Sequence, residues 1–74
     1  MKEIAPRITV DPKVQFGKPV IARTRVPVAT VVGHLAGGET VETLMKEYDL
    51  EREDIMAALS YAAKVLADEM VMVK

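Results

Sequence analysis

The chain has 74 residues, no cysteine and a formal net charge of −1. That length holds one small domain with a marginal core, and the missing thiols exclude disulfides and thiolate–metal sites as sources of stability. Half of the residues are apolar, so part of that surface is expected to face a partner or a second copy.

No run reaches the roughly 18 apolar residues of a membrane span, and MKEIAPR has no apolar signal core; a cytoplasmic protein is the simplest expectation. The charge is unevenly placed. Residues 1–25 hold six basic and two acidic side chains, a net of +4, whereas residues 26–74 hold four basic and nine acidic, a net of −5. A basic arm precedes an acidic body. The arm lies against its own body or a sister subunit, or it meets an external anion; the asymmetry alone does not choose.

In chain order, RITV (residues 7–10) predicts a short strand stopped by Asp11-Pro12. KVQF (13–16) predicts a second strand fragment ending at Gly17. Pro19 keeps Lys18 extended, and VIARTRV (20–26) predicts a strand closed by Pro27. Proline cannot donate to a ladder, so that strand sits at an edge or ends there.

From Val28 the apolar period lengthens. Val28, Val31, Val32, Leu35 and Ala36 share one helical face, and Gly37-Gly38 stops that helix. Its β-branched content means that packing must hold it. Thr40 is a good N-cap for a short helix with Val41, Leu44, Met45 and Tyr48 on one face. A tight connection turns Leu50 inward. Glu51, Glu53 and Asp54 then open a last helix, where the dipole favours their charge. Ile55, Leu59, Ala62, Leu66 and Met70 mark its stripe, and it is expected to run to about Glu69. MVMVK (70–74) predicts a frayed end or a short strand. The expected fold is a mostly α single domain: a basic β arm (1–27), a three-helix body (28–69) and a tail (70–74). Its second and third helices have the spacing of a helix-turn-helix unit.

No catalytic constellation is legible. His34 is the only histidine and sits beside an apolar stripe, as a half-buried or surface residue does. No partners stand at zinc-ligand spacing, Gly17-Lys18 lacks the rest of a P-loop, and no Ser-His-Asp or Cys-His set can be built. The expectation is a protein that is not an enzyme and uses no metal or cofactor. DNA binding is weakened by the start of the last helix, Glu51-Arg52-Glu53-Asp54. Its carboxylates repel phosphates, which leaves Arg52 to read a base and Arg23 or Arg25 to enter a minor groove. Protein binding fits more features. These are an edge strand, an apolar excess, adaptable methionines (Met45, Met56, Met70 and Met72), and a two-fold dimer built from arms and last helices.

The segments Gly17-Lys18-Pro19-Val20-Ile21 and Thr24-Arg25-Val26-Pro27-Val28 resemble the family catalogued as domain of unknown function 433. So do Leu35-Ala36, Gly38, Thr40-Val41-Glu42, Glu53-Asp54-Ile55 and Ala57-Ala58-Leu59 with Tyr61-Ala62-Ala63. The resemblance implies a homeodomain-like three-helix unit with an N-terminal β arm. It also implies a role as a VapB-type antitoxin that neutralises a PIN-like nuclease toxin encoded next door, with operator DNA as a further partner. On that basis Lys18, Arg23, Thr24 and Arg25 are expected to contact the partner, and Arg23, Arg25 and Arg52 to contact any DNA. The alternatives are a DNA-binding regulator and a structural dimerisation module. The family resembled usually carries glycine where Arg23 stands and often a second where Phe16 stands, and glycine would permit positive φ there.

Overall fold

Pro6 sets the first reversal. Its fixed φ is followed by Arg7 at φ 64°, the order of a type II turn, which normally takes glycine or asparagine in the second place. The turn joins β1 (Lys2–Ala5) to β2 (Ile8–Val10). The two strands are antiparallel, with Lys2 opposite Val10 and Glu3 opposite Thr9, and a bulge lies between Glu3 and Ala5. Strand β1 carries no buried side chain. No inward–outward alternation marks it, which is why the sequence gives no sign of it. On its other side β2 pairs antiparallel with β3 (Val20–Ile21), placing Ile8 opposite Ile21. The structure, a computed structural model, describes residues 1–69; the expectations for Met70, Met72 and the MVMVK tail lie outside those residues.

Three helices follow: α1 (Val28–Ala36), α2 (Val41–Tyr48) and α3 (Arg52–Ala67). Helix α1 begins after Pro27 without a side-chain cap; instead the Val28 N–H donates to the Pro19 carbonyl at 3.0 Å, tying helix to arm. Thr40 caps α2 by accepting from the Thr43 N–H at 3.1 Å. Asp49 ends that helix in the left-handed region (φ 55°, ψ 51°), and the Leu50 N–H returns to the Met45 carbonyl at 2.9 Å, which aims Leu50 at the core. Asp54 opens α3 by accepting from the Glu51 N–H at 2.9 Å, half of a capping box. The helix ends at Ala67 with Asp68 as its cap, two residues short of the expected Glu69.

The five largest fully buried side chains are Ile8, Ile21, Val31, Leu44 and Ile55. Two come from the arm and three from the helices, and they join one cluster with Val28, Leu50 and Ala58. The basic arm is therefore part of the core wall, not an appendage on a three-helix body. The helical stripes hold near their starts and fail at the end. Leu66, expected to face inward, is 66% exposed, because it lies on the wall of an open groove between α3, the arm and α1 rather than in the packed core.

Burying an isoleucine contributes roughly 1.5–3 kcal/mol from surface alone, and a cavity adds to the loss. Ile21→Ala is expected to cost about 2–5 kcal/mol, against a total of about 4–11 kcal/mol for a domain of this length. Urea unfolding measures it; a loss below about 0.5 kcal/mol, typical of surface changes, would mean that the arm does not share the core.

Candidate functional site

Between β2 and β3 the chain turns left-handed. Gln15, Phe16 and Gly17 have φ of 49°, 57° and 82°, a run that costs roughly 1–2 kcal/mol for each residue with a Cβ. KVQF is therefore not a strand fragment: apart from a single bridge between Asp11 and Val14 it forms a tight 3-10 turn over Gln15–Gly17, and positive φ cannot continue a ladder. Backbone bonds hold it, from Val14 to Asp11 (2.9 Å), Gly17 to Val14 (3.1 Å) and Lys18 to Gln15 (3.1 Å). The Gln15 side-chain amide donates to the Arg25 carbonyl at 3.1 Å, fastening this turn to the next. Phe16 stands at its tip, 95% exposed.

The second turn breaks the expected strand VIARTRV after Ile21. The Thr24 N–H donates to the Ile21 carbonyl at 3.1 Å, with Arg23 at φ 64° between them. Thr24 locks the reversal: its hydroxyl donates to the Ile21 carbonyl at 2.7 Å and accepts from the Val26 N–H at 3.0 Å. Of the four residues expected to meet a partner, Thr24 is thus occupied within its own turn. The outer edge of β3 is closed as well, since the Ile21 N–H donates to the Val26 carbonyl at 3.0 Å and Val20 bridges to Pro27. The open edge expected there does not exist, because the chain folds back onto it.

Lys18, Arg23 and Arg25 are exposed, and among the described residues none of them pairs with a carboxylate. A groove of about 530 Å³ runs between the arm, α1 and the second half of α3. Pro19, Val28, Val32, Tyr61 and Val65 line it, and Lys18 lies along the same wall.

The start of α3 is spoken for. One guanidinium nitrogen of Arg7 reaches Glu51 Oε1 at 2.8 Å and Asp54 Oδ1 at 2.9 Å. Hydrogen bonds to Glu51 and then Asp54 raise the Arg7 pKa above its ordinary value. Arg52, expected to read a base, pairs with Glu42 of α2 at 2.5 Å. Glu42 is in turn held below the usual carboxylate range, first by its own backbone N–H and then by Arg52.

A second cluster escaped sequence reasoning, which sought ligands at regular spacing. His34 lies in the last turn of α1, and the Gly37-Gly38 reversal, with Gly38 at φ 99°, brings Glu39 back so that its N–H donates to the His34 carbonyl at 3.1 Å. The Glu39 carboxylate meets His34 Nδ1. The Tyr48 hydroxyl lies 3.1 Å from His34 Nε2, with the rings edge-to-face at 5.7 Å. Glu47 completes the group: one ligand atom each from His34, Glu39 and Glu47 lies within 4.8 Å of the others. Burial first, then the charges of Glu47 and Glu39, pushes the Tyr48 phenol up.

The family model described as "Protein of unknown function (DUF433)" matches residues 8–62, from β2 into α3. The chain belongs to this family. The match includes both left-handed turns, the basic side chains and the His34 cluster. The X-ray crystal structure of Rv2018 from Mycobacterium tuberculosis is similar to this family member over 70% of the present chain, at 31% identity and a TM-score of 0.64. The similar region is 24% of the Rv2018 chain, so the present chain spans about a quarter of that protein's length. No curated protein matches it. No helix among the described residues is long and apolar enough to cross a membrane.

The φ values explain the two positions where the resemblance leads one to expect glycine: Phe16 and Arg23 take up the left-handed geometry with side chains. Arg23→Gly should leave stability within about 0.5 kcal/mol, because relief of strain offsets glycine's entropy. Arg23→Val should cost more than the roughly 0.5 kcal/mol of an ordinary surface change, because a β-branched side chain is a steric outlier at that φ. Chemical denaturation of the two variants checks the pair; equal effects would mean that position 23 is not held left-handed.

Proposed function

We propose that this protein is a stoichiometric binding module of the antitoxin kind, which seats on an acidic, nuclease-like partner and blocks it without catalysis of its own. The observation that carries the proposal is an apolar groove with Lys18 on its wall, together with Arg23 and Arg25 exposed on the turn that leads into Pro27 of that groove, none of the three paired with a carboxylate among the described residues. An apolar helix or strand of the partner fills the groove. The arginines meet the partner's metal-binding carboxylates, where a planar guanidinium bonds both oxygens at once. The arm is ordered before binding by its own hydrogen bonds, so docking does not cost the entropy of ordering a loop. Phe16, displayed at the tip of the first turn, supplies an aromatic anchor of the type that dominates protein interfaces. DNA reading has less support, since Arg52 is held by Glu42 and the rest of the α3 start is acidic.

Co-expression with the product of the neighbouring gene, followed by affinity capture and a nuclease assay, tests this. The expected result is a one-to-one complex with the nuclease inhibited, and a loss of at least about tenfold in inhibition for Arg23→Ala/Arg25→Ala, the size of a modest hot spot. Undiminished inhibition by that double variant would remove the proposal. A gel shift on upstream DNA with a steep salt slope, without capture of a protein, would favour the regulator instead.

A further inference from the structure

The geometry points to a second site: we propose that His34, Glu39 and Glu47 bind a divalent transition-metal ion of the Zn2+ type, with Tyr48 fixing the imidazole. Three separate elements deliver the donors. His34 comes from the end of α1, Glu39 from the reversal after it, and Glu47 from the last turn of α2. One imidazole nitrogen and two carboxylate oxygens form a borderline donor set, three protein ligands with a position left for water, as in open zinc sites. The His34 and Glu39 side chains are each about one-third exposed, so an ion can enter.

The contacts around the imidazole support this. The Tyr48 hydroxyl lies 3.1 Å from His34 Nε2, which leaves Nδ1 on the side of the Glu39 carboxylate, and a Glu47 oxygen lies within 4.8 Å of the His34 and Glu39 donor atoms. Among the described residues no lysine or arginine pairs with Glu39 or Glu47. Two carboxylates therefore converge on one imidazole without a basic side chain to balance them, and a metal ion is a cation that engages all three donors. A ligating histidine whose other N–H is held by a neighbouring oxygen is the usual second-shell arrangement at metal centres. The site is independent of the partner-binding groove and stands or falls without it.

The test is a titration of the full chain with ZnCl2 at neutral pH, followed by calorimetry and by NMR of the His34 ring. His34 is the only histidine and there is no cysteine, so background binding to soft ligands is small. The expected result is saturable one-to-one binding that shifts the His34 ring and the Glu39 and Glu47 side-chain resonances. His34→Ala should abolish it, Glu47→Gln should weaken it at least about tenfold, and Tyr48→Phe should weaken it about tenfold at unchanged stoichiometry, as loss of second-shell support does. Glu47 is exposed, so its variant tests the site even if His34→Ala fails to fold. No saturable binding, or binding equal in the wild type and Glu47→Gln, would overturn the proposal and leave a plain His34–Glu39 hydrogen bond.

Discussion

The fold turns on the seam where Arg7 meets α3. The residue serves three segments at once. Its guanidinium holds Glu51 and Asp54, its N–H donates to Glu3 Oε2 at 3.2 Å, and its carbonyl accepts from the Ala22 N–H at 2.8 Å. Asp54 is shared in the same way, one oxygen on Arg7 and the other on the Glu51 N–H that opens α3. The next residue, Ile8, is fully buried in one cluster with Ile55. Polar and apolar contacts thus fix the same register between sheet and helix. That register sets where β3 lies, where Pro19 receives the first N–H of α1, and on which side the basic turns emerge.

A basic segment next to an acidic body is usually satisfied by that body. Here the segment divides. Arg7 is used on α3 and neutralises its acidic start, while Lys18, Arg23 and Arg25 have no carboxylate partner among the described residues. Internal hydrogen bonds of the two turns stabilise several residues in left-handed geometry. Strain that a core does not require is most often found where a side chain must be presented, and Phe16 and Arg23 are both presented outward.

The helices were legible from residues 28 to 67 because punctuation and stripe agree there. Gly37-Gly38 and Thr40 mark breaks, and Val28, Val31, Leu44 and Ile55 fall at helical spacing on the buried side. The arm was legible in composition and family resemblance but not in geometry. Arg7, Gln15, Phe16 and Arg23 take positive φ, and a side chain larger than glycine gives no local sign of that. Strand β1 escaped because it buries nothing, and the closed edge of β3 because a chain that returns on itself after five residues looks like a longer strand. The histidine cluster was invisible for another reason. Its members are separated by a glycine reversal and a helix, and only the packed arrangement of α1 against α2 joins them.

The arm is a rigid wall of the core, and its two turns are held in place by that packing and by their own hydrogen bonds. Native-state hydrogen exchange measures this directly. The Ile21, Ala22 and Val28 amides, bonded to Val26, Arg7 and Pro19, are predicted to exchange as slowly as the Val31 and Leu44 amides, through the same global opening. Exchange of those three amides at unprotected rates, with the helical amides still protected, would contradict the account and make the arm a loose appendage.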